Sequence, residues 1–287
     1  MPTEMLNTFS QDDIRALEPA LKIGILATVS DEGLPHLTMI STLKASSEFG
    51  LVWGQFMEGR SKAYIRSHPQ VGWLIMTLDK SLWRGKARFT HTSKSGPDYD
   101  FFNNTPLFRY NAYFGVHTVY YMDLVEQTGK QVLPMNEVAF SAIKTLTARS
   151  LTRSRAKKGV INPWTRGFLN KLDNLKFLSY IGEDGFPVII PAIQAQTGDA
   201  EHILFSTSVY SGELKAIPVG ASVAVLGLAL TMEDVLLRGR FEGVRSYAGF
   251  HCGSVQVDWV YNSMPPVPGQ VYPEVEPQPV RDFGAVD

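Results

Sequence analysis

Apolar and polar positions alternate between two periods along this chain, and the switch between them marks out its elements. Ser10-Gln-Asp-Asp13 opens a helix in which Ser10 is the cap and Asp13 the answering acid three residues on, and the helix is predicted to end before Lys22. Lys22 to Val29 is apolar and β-branched enough for a strand, Ser30-Asp-Glu-Gly33 carries turn chemistry, and Pro35 to Leu43 reads as the return strand of a hairpin. A third strand is predicted over Phe49 to Gln55. It is followed by a short helix from Arg60 that Pro69 stops, and then by strands over Val71 to Leu78 and Leu82 to Thr90. An aromatic, Asn-rich segment covers Tyr99 to Phe114, and Thr118 to Val125 is again a strand. Asn136 to Lys158 has helical composition and grows basic towards its end, through Arg149, Arg153, Arg155, Lys157 and Lys158. From Lys176 to Val260 the strand order starts over. Pro and Glu dominate from Pro265 onward, so a tail with little structure of its own is expected there.

The second run of strands carries the same landmarks as the first. Gly33 of a Gly-Leu-Pro turn returns 152 residues later as Gly185 of Gly-Phe-Pro, and Lys62-Ala63 returns as Lys215-Ala216, 153 residues later. Arg84-Gly85-Lys86 returns as Arg238-Gly239-Arg240 after 154 residues, and Tyr113-Phe-Gly-Val-His117 as Tyr247-Ala-Gly-Phe-His251 after 134. Asp123 and Asp258 then close each unit inside an apolar strand. Four matches in one order argue for a duplicated domain.

Mostly strands, one short helix after the third strand and a Gly-Pro hairpin near the start describe a small barrel, so the fold class read from sequence is mainly β with short helices. It comprises two tandem small β-barrels joined by a helical connector. The boundaries follow the elements: residues 1–134 for the first barrel, 135–170 for the connector, 171–273 for the second barrel and 274–287 for the tail.

Composition narrows the field. A chain of 287 residues with net charge −1 suits two modest domains and carries no global charge that points to nucleic acid. One cysteine, Cys252, excludes an intrachain disulfide framework and fits a reducing compartment. No stretch approaches membrane-span length and the N-terminus lacks a basic segment followed by an apolar run, so a cytoplasmic protein is expected. The six histidines show no ligand spacing, and no metal site is predicted.

The stretch from Leu51-Val-Trp-Gly-Gln through Gly59-Arg-Ser-Lys-Ala and Ser67-His-Pro69 to Leu82-Trp-Arg-Gly-Lys-Ala87 resembles the FMN-binding split-barrel family related to pyridoxamine 5'-phosphate oxidase. That family carries a strand, a Ser-Arg-Lys-like cluster opening a helix, an Asn-Pro or His-Pro helix stop, and a strand ending in Gly-Xaa-Ala. The resemblance implies a flavoprotein, with FMN as cofactor. Arg60, Ser61 and Lys62 offer a fork, a hydroxyl and a point charge for a phosphate dianion where a helix begins. A solvated basic helix start is the plain alternative. For the isoalloxazine ring the candidates are Thr38, Met39, Ile40 and Ser41 on the return strand, with Gln55 and Trp83 beside them. Trp53 could also wall the ring, although core packing accounts for a strand tryptophan as well. Lys86, with Arg84, could stabilise an anionic reduced flavin, or both could be exposed strand charges. Tyr113 and His117 are substrate-pocket candidates, as a strand-entry turn is their alternative; Tyr247 and His251 repeat them. Cys252 and His251 are strand neighbours that face opposite ways, which argues against a dyad.

The vitamin-synthesising oxidases end in an Arg-Leu-Xaa-Pro-like signature that this chain lacks, reading Gln131-Val-Leu-Pro and Gln270-Val-Tyr-Pro instead. The reading is therefore an FMN-dependent oxidoreductase acting on an unidentified small molecule, with a nicotinamide as one possible donor. The alternatives are a noncatalytic flavin or haem-binding carrier or sensor, for which His91, His117 or His251 must reach an iron, and an interaction protein using the basic connector. Because split barrels of the family pair around their cofactor, the two copies are expected to form an intrachain pseudo-dimer with one strong flavin site, and a further homodimer stays open.

Overall fold

A computed structural model describes residues 5–55, 59–105, 115–152, 159–231, 233–262 and 269–273. Helix α1 (Gln11–Leu17) begins as its sequence dictates: the Asp13 backbone N–H donates to Ser10 Oγ (3.1 Å), and the Ser10 N–H to the Asp13 carboxylate (3.0 Å). The first sheet follows as β1 (Lys22–Val29), β2 (Pro35–Met39), β3 (Lys44–Ser47), β4 (Gly50–Gln55), β5 (Gln70–Thr77), β6 (Ser81–Ser93), β7 (Thr118–Gln127) and β8 (Gln131–Val132). Helix α2 (Arg60–Ser67) lies between β4 and β5, and α3 (Pro97–Asn103) between β6 and β7. Helices α4 (Met135–Leu151) and α5 (Pro163–Asn170) connect to the second sheet. That sheet runs β9 (Leu175–Ile181), β10 (Pro187–Pro191), β11 (Gln196–Thr197), β12 (His202–Ser206), β13 (Ser222–Leu228), β14 (Asp234–Tyr247), β15 (Phe250–Asn262) and β16 (Gly269–Tyr272), with α6 (Ser211–Lys215) after β12.

The architecture is mainly β, two tandem split barrels. The strand order is β2-β1-β5-β6-β7-β4-β3 in one sheet and β10-β9-β13-β14-β15-β12-β11 in the other, which is the same order in both. Each sheet also carries its last short strand off this path, β8 on β6 and β16 on β15. The pairings β1–β2, β1–β5, β5–β6 and β6–β7 of the first sheet and β9–β13, β13–β14 and β14–β15 of the second are antiparallel.

The repeated motifs have physical reasons. Gly33 and Gly185 take φ of 73° and 79° in matching turns, where the Gly33 N–H donates to Ser30 O and the Gly185 N–H to Gly182 O, both at 2.9 Å. Gly85 and Gly239 lie where a Cβ would stand 1.9 Å from Glu126 O and 2.0 Å from Gln256 O, on the neighbouring strands. Only glycine permits that approach; a register shift lies beside Gly239, and another lies one residue past Gly85, between Lys86 and Ala87.

By compactness the chain divides into two units. The first is Met1–Leu133 together with Ile181–Ile189; the second is Pro134–Tyr180 with Ile190–Asp287. The first core gathers Phe9, Leu26, Trp53, Trp73, Trp83 and Tyr120, with Trp53 and Tyr120 stacked at 4.0 Å. In the second unit Phe205 stacks on Phe241 at 6.1 Å.

Two expected elements differ. The return strand stops at Met39 instead of Leu43, because the Ile40 N–H turns to Gly24 O (2.7 Å) and the Leu43 N–H to Ile40 O (3.1 Å), which frees the chain to start β3. Part of the segment after Pro265 is not tail: β16 pairs with β15. The basic end of the predicted connector helix, residues 153–158, lies outside the described residues, as do residues 274–287.

Candidate functional site

Helix α2 starts on Gly59, whose backbone is extended and which has no side chain to cap the first turn. The leading N–H groups of α2 and the positive end of its dipole are therefore not met by a carboxylate or hydroxyl of the N-cap residue. Lys62 Nζ stands at this end, 3.3 Å from where a Cβ on Gly59 would sit. Arg60 is exposed on the same first turn. Ser61 is buried, with its Oγ 2.5 Å from Thr38 Oγ1. Two residues back on β2, His36 packs edge-on against Tyr64 of α2 (5.4 Å), so alternate residues of β2 face the helix. The helix ends at His68, whose N–H donates to Tyr64 O before Pro69. Four of the predicted residues, Thr38, Arg60, Ser61 and Lys62, are thus brought together at one end of β2.

Just past the C-terminal end of β2 lies a cavity of about 390 Å³ lined by Lys22, Ser41, Thr42, Lys44, Phe101 and Phe102, among others. Thr42 fixes its floor by donating to Gly54 O (2.8 Å) and accepting from the Gly54 N–H (3.1 Å). The Lys44 ammonium lies 3.6 Å above the Phe101 ring and 3.6 Å from Asp98 Oδ1. Burial lowers the Lys44 pKa, and Asp98 pulls it back only partly. Lys22 donates to Pro19 O (2.6 Å) and Glu18 O (3.4 Å) just past the C-terminus of α1, and burial, reinforced by Lys44, lowers its pKa to about 8. Sequence reasoning missed both lysines. Their one signal was a cation at the head of an apolar strand, which reads equally well as a solvated strand end.

The remaining candidates are distributed elsewhere. Met39 closes β2 half-exposed, and Ile40 is buried in the core with its N–H and C=O engaged as described. Gln55, at the end of β4, accepts from the Tyr120 hydroxyl (2.9 Å). Trp53 and Trp83 are both core residues, and the Trp83 indole N–H is committed to Asp13 Oδ1 at 2.7 Å. Lys86 pairs with Glu126 (2.7 Å) and Asp184 (2.8 Å); burial opposes its charge, but these bonds outweigh burial and raise its pKa. Asp184 belongs to the segment that completes the first unit, as does Ile189, whose carbonyl accepts from Arg84 Nη1 (3.1 Å). His117 is exposed before β7, its Nδ1 2.8 Å from Thr118 Oγ1, and His91 stacks on Tyr121 at 4.5 Å. Tyr113 lies outside the described residues. Cys252 is fully buried, and burial pushes its thiol up to about 11. Among the described residues no cluster of three His, Cys, Asp or Glu could hold a metal, and no helix is long and apolar enough to cross a membrane.

The corresponding place in the second unit is built differently. Helix α6 has five residues, begins after Tyr210 in a left-handed conformation, and carries Lys215 in its last turn. Lys62 stands in the first turn of α2, so the repeated Lys-Ala pair does not repeat a position. Instead of a basic helix start, α4 reaches the end of β12: the Ser206 N–H donates to Thr145 Oγ1 (2.9 Å) and Ser208 Oγ to Ser141 Oγ (3.1 Å). Ser141, Thr145 and Ala148, fully buried, form the inner face of α4.

No family model and no curated protein matches the chain. Solved structures do resemble part of it. An FMN-binding protein from Syntrophomonas wolfei subsp. wolfei aligns with 42% of this chain and 86% of its own at 14% identity and a TM-score of 0.35. HupZ from Group A Streptococcus aligns with 44% and 98% at 10% identity and a TM-score of 0.35, and the General Stress Protein 26 from Bacillus anthracis str. Sterne with 42% and 97% at 16% and 0.32.

Proposed function

We propose that the protein is a flavoprotein that binds one FMN per chain in its first unit and uses it as an oxidoreductase on a small molecule. One observation carries this reading. A helix start with no N-cap side chain, with Arg60, Lys62 and the buried Ser61–Thr38 hydroxyl pair, lies beside the C-terminal end of β2, and a cavity with aromatic walls opens just past that end, at Ser41 and Thr42. Thr38 and Ser41 are three residues apart, so the chain between them spans at most about 10 Å. A phosphorylated ribityl chain with a ring at its far end has that shape. Helix N–H groups, a guanidinium and an ammonium hold a phosphate dianion, and a cavity of this size accommodates a planar ring. Bound flavin supplies hydride chemistry. The residues of the chain bind, orient and exclude water. Lys44, fixed by Asp98 over Phe101, presents positive charge inside the cavity, and His117 is kept as the substrate-side candidate.

The test is the visible spectrum of the purified protein followed by titration with FMN. A flavin band saturating at one equivalent per chain is expected, and failure to bind FMN under any condition overturns the reading. Anaerobic addition of nicotinamide and other donors then separates roles. Bleaching that an acceptor reverses supports the oxidoreductase; a flavin reduced only by chemical reductant points to a carrier.

A further inference from the structure

Helix α4 is built inside out. Its buried face is small and polar, Ser141, Thr145 and Ala148 with Val138, while Met135, Phe140, Ile143, Leu146 and Leu151 are between 38 and 68% exposed. On a helix of 100° per residue these five positions fall within about 80° of the direction of Ile143, so they form one face. They are also symmetric about Ile143, which is the midpoint of Met135–Leu151. Phe140 and Leu146 lie three residues to either side, and Met135 and Leu151 eight. The pairs between them match in kind as well: the small residues Ala139 and Thr147 flank by four, and the polar Asn136 and Ser150 by seven.

Where a two-fold axis crosses an antiparallel helix pair at Ile143, a residue a given number of places after Ile143 on one helix faces the residue the same number of places before it on the other, so an apolar pattern symmetric about Ile143 sets apolar side chains against apolar ones. We infer that α4 is the interface between two copies of this chain, packed antiparallel with the axis at Ile143. Phe140 then lies level with Leu146 of the second chain and Met135 with its Leu151, and Ala139 and Thr147 allow close approach at the centre. Lys144 borders this face, 100° round the helix from Ile143, and Glu137 and Arg149 lie further round, at 120° on either side. The five side chains expose about 500 Å² on each chain, so two faces in full contact bury up to roughly 1,000 Å², the lower bound for a biological interface. The inference rests on α4 alone and is independent of the flavin reading.

Sedimentation equilibrium of the full chain at micromolar concentration tests it. The expected mass is about twice 31.9 kDa, reduced to the single-chain value by Ile143→Glu with an unchanged circular dichroism spectrum. A single-chain mass for the unaltered protein, or a dimer that survives Ile143→Glu, overturns the inference. Ile143→Cys provides a check that does not depend on how that charge is tolerated. Two copies of residue 143 meet at the axis, so mild oxidation should link the chains through a disulfide, while Cys252, fully buried, leaves the unaltered protein unlinked. Absence of that cross-link also overturns it.

Discussion

The two sheets share one strand order and differ in what stands at the end of the fourth strand. After β4 the first unit places an eight-residue helix whose uncapped start carries Arg60 and Lys62; after β12 the second places a five-residue helix with its lysine at the wrong end. Helix α4 then hydrogen-bonds into the end of β12 through Thr145, and Ser141 reaches Ser208 beyond it. The comparison teaches that strand order and site chemistry are separable. The glycines that let strands approach are kept in both sheets, whereas the cationic cluster is present in one.

The sharpest test of the shared part is steric. Gly85→Val and Gly239→Val each force a side chain into a neighbouring carbonyl, so each should cost more than about 4 kcal/mol in denaturant unfolding. If one is tolerated, the two sheets do not share this constraint. The unshared part should respond to charge. Arg60→Ala with Lys62→Ala is expected to raise the Kd for FMN about 100-fold, from two lost charge-assisted bonds, and to leave riboflavin within about twofold, because riboflavin lacks the phosphate. Lys215→Ala should change neither. Equal losses for both ligands would remove the phosphate from Arg60 and Lys62.

A third test uses one buried lysine from each unit. Lys22 donates to carbonyls past α1, and Lys176 to Lys171 O at the end of α5 (2.5 Å); burial lowers both pKa values to about 8. Between about 8 and the ordinary 10.5 the unfolded chain holds the proton that the folded chain has released. Stability should therefore rise with pH across that window, by up to about 1.4 kcal/mol per pH unit from each lysine. Urea unfolding at pH 7, 9 and 10 measures it. Lys22→Met should remove about half of the rise and Lys176→Met the other half; a flat profile in the unaltered protein would mean that both ammonium groups stay charged. The smallest effect is expected from Thr145→Val, which removes the acceptor of the Ser206 N–H and the donor to Ser141 O. About 1 kcal/mol of stability should be lost, with FMN still saturating at one per chain. A second equivalent appearing there would show that α4 was all that kept the second unit closed to flavin.

Local grammar was readable wherever a residue type has one dominant use. Ser10 and Asp13 announced the cap of α1, Lys22–Val29 emerged with its predicted bounds, and His68-Pro69 ended α2. The phosphate candidates were readable because three polar residues opened a helix. Strand β3 was not, since Ile40 to Leu43 turn without glycine or proline, held by the Gly24 carbonyl across the hairpin. Lysines are expected in water, so nothing in the sequence placed Lys22 and Lys44 in a cavity wall. Trp83 looked like a ring wall because only the fold reveals that its indole already has Asp13. The outward apolar face of α4 escaped notice for a related reason. Helical periodicity identifies a stripe without saying which side is inward.

The discontinuity of the first unit has a consequence for how the protein is made. Buried Arg84 donates to Ile189 O, Lys86 to Asp184, and a Cβ on Gly72 would stand 2.3 Å from Pro187 O. During synthesis the ribosome must release about 50 residues beyond Leu133, plus those still inside its exit tunnel, before these groups meet their partners. Until then Arg84 is a buried cation without that carbonyl, which is costly enough to hold the unit short of its final packing. A nascent chain stalled at Leu133 should accordingly be cleaved by protease in β5 and β6, and one stalled well past Ile189 should resist.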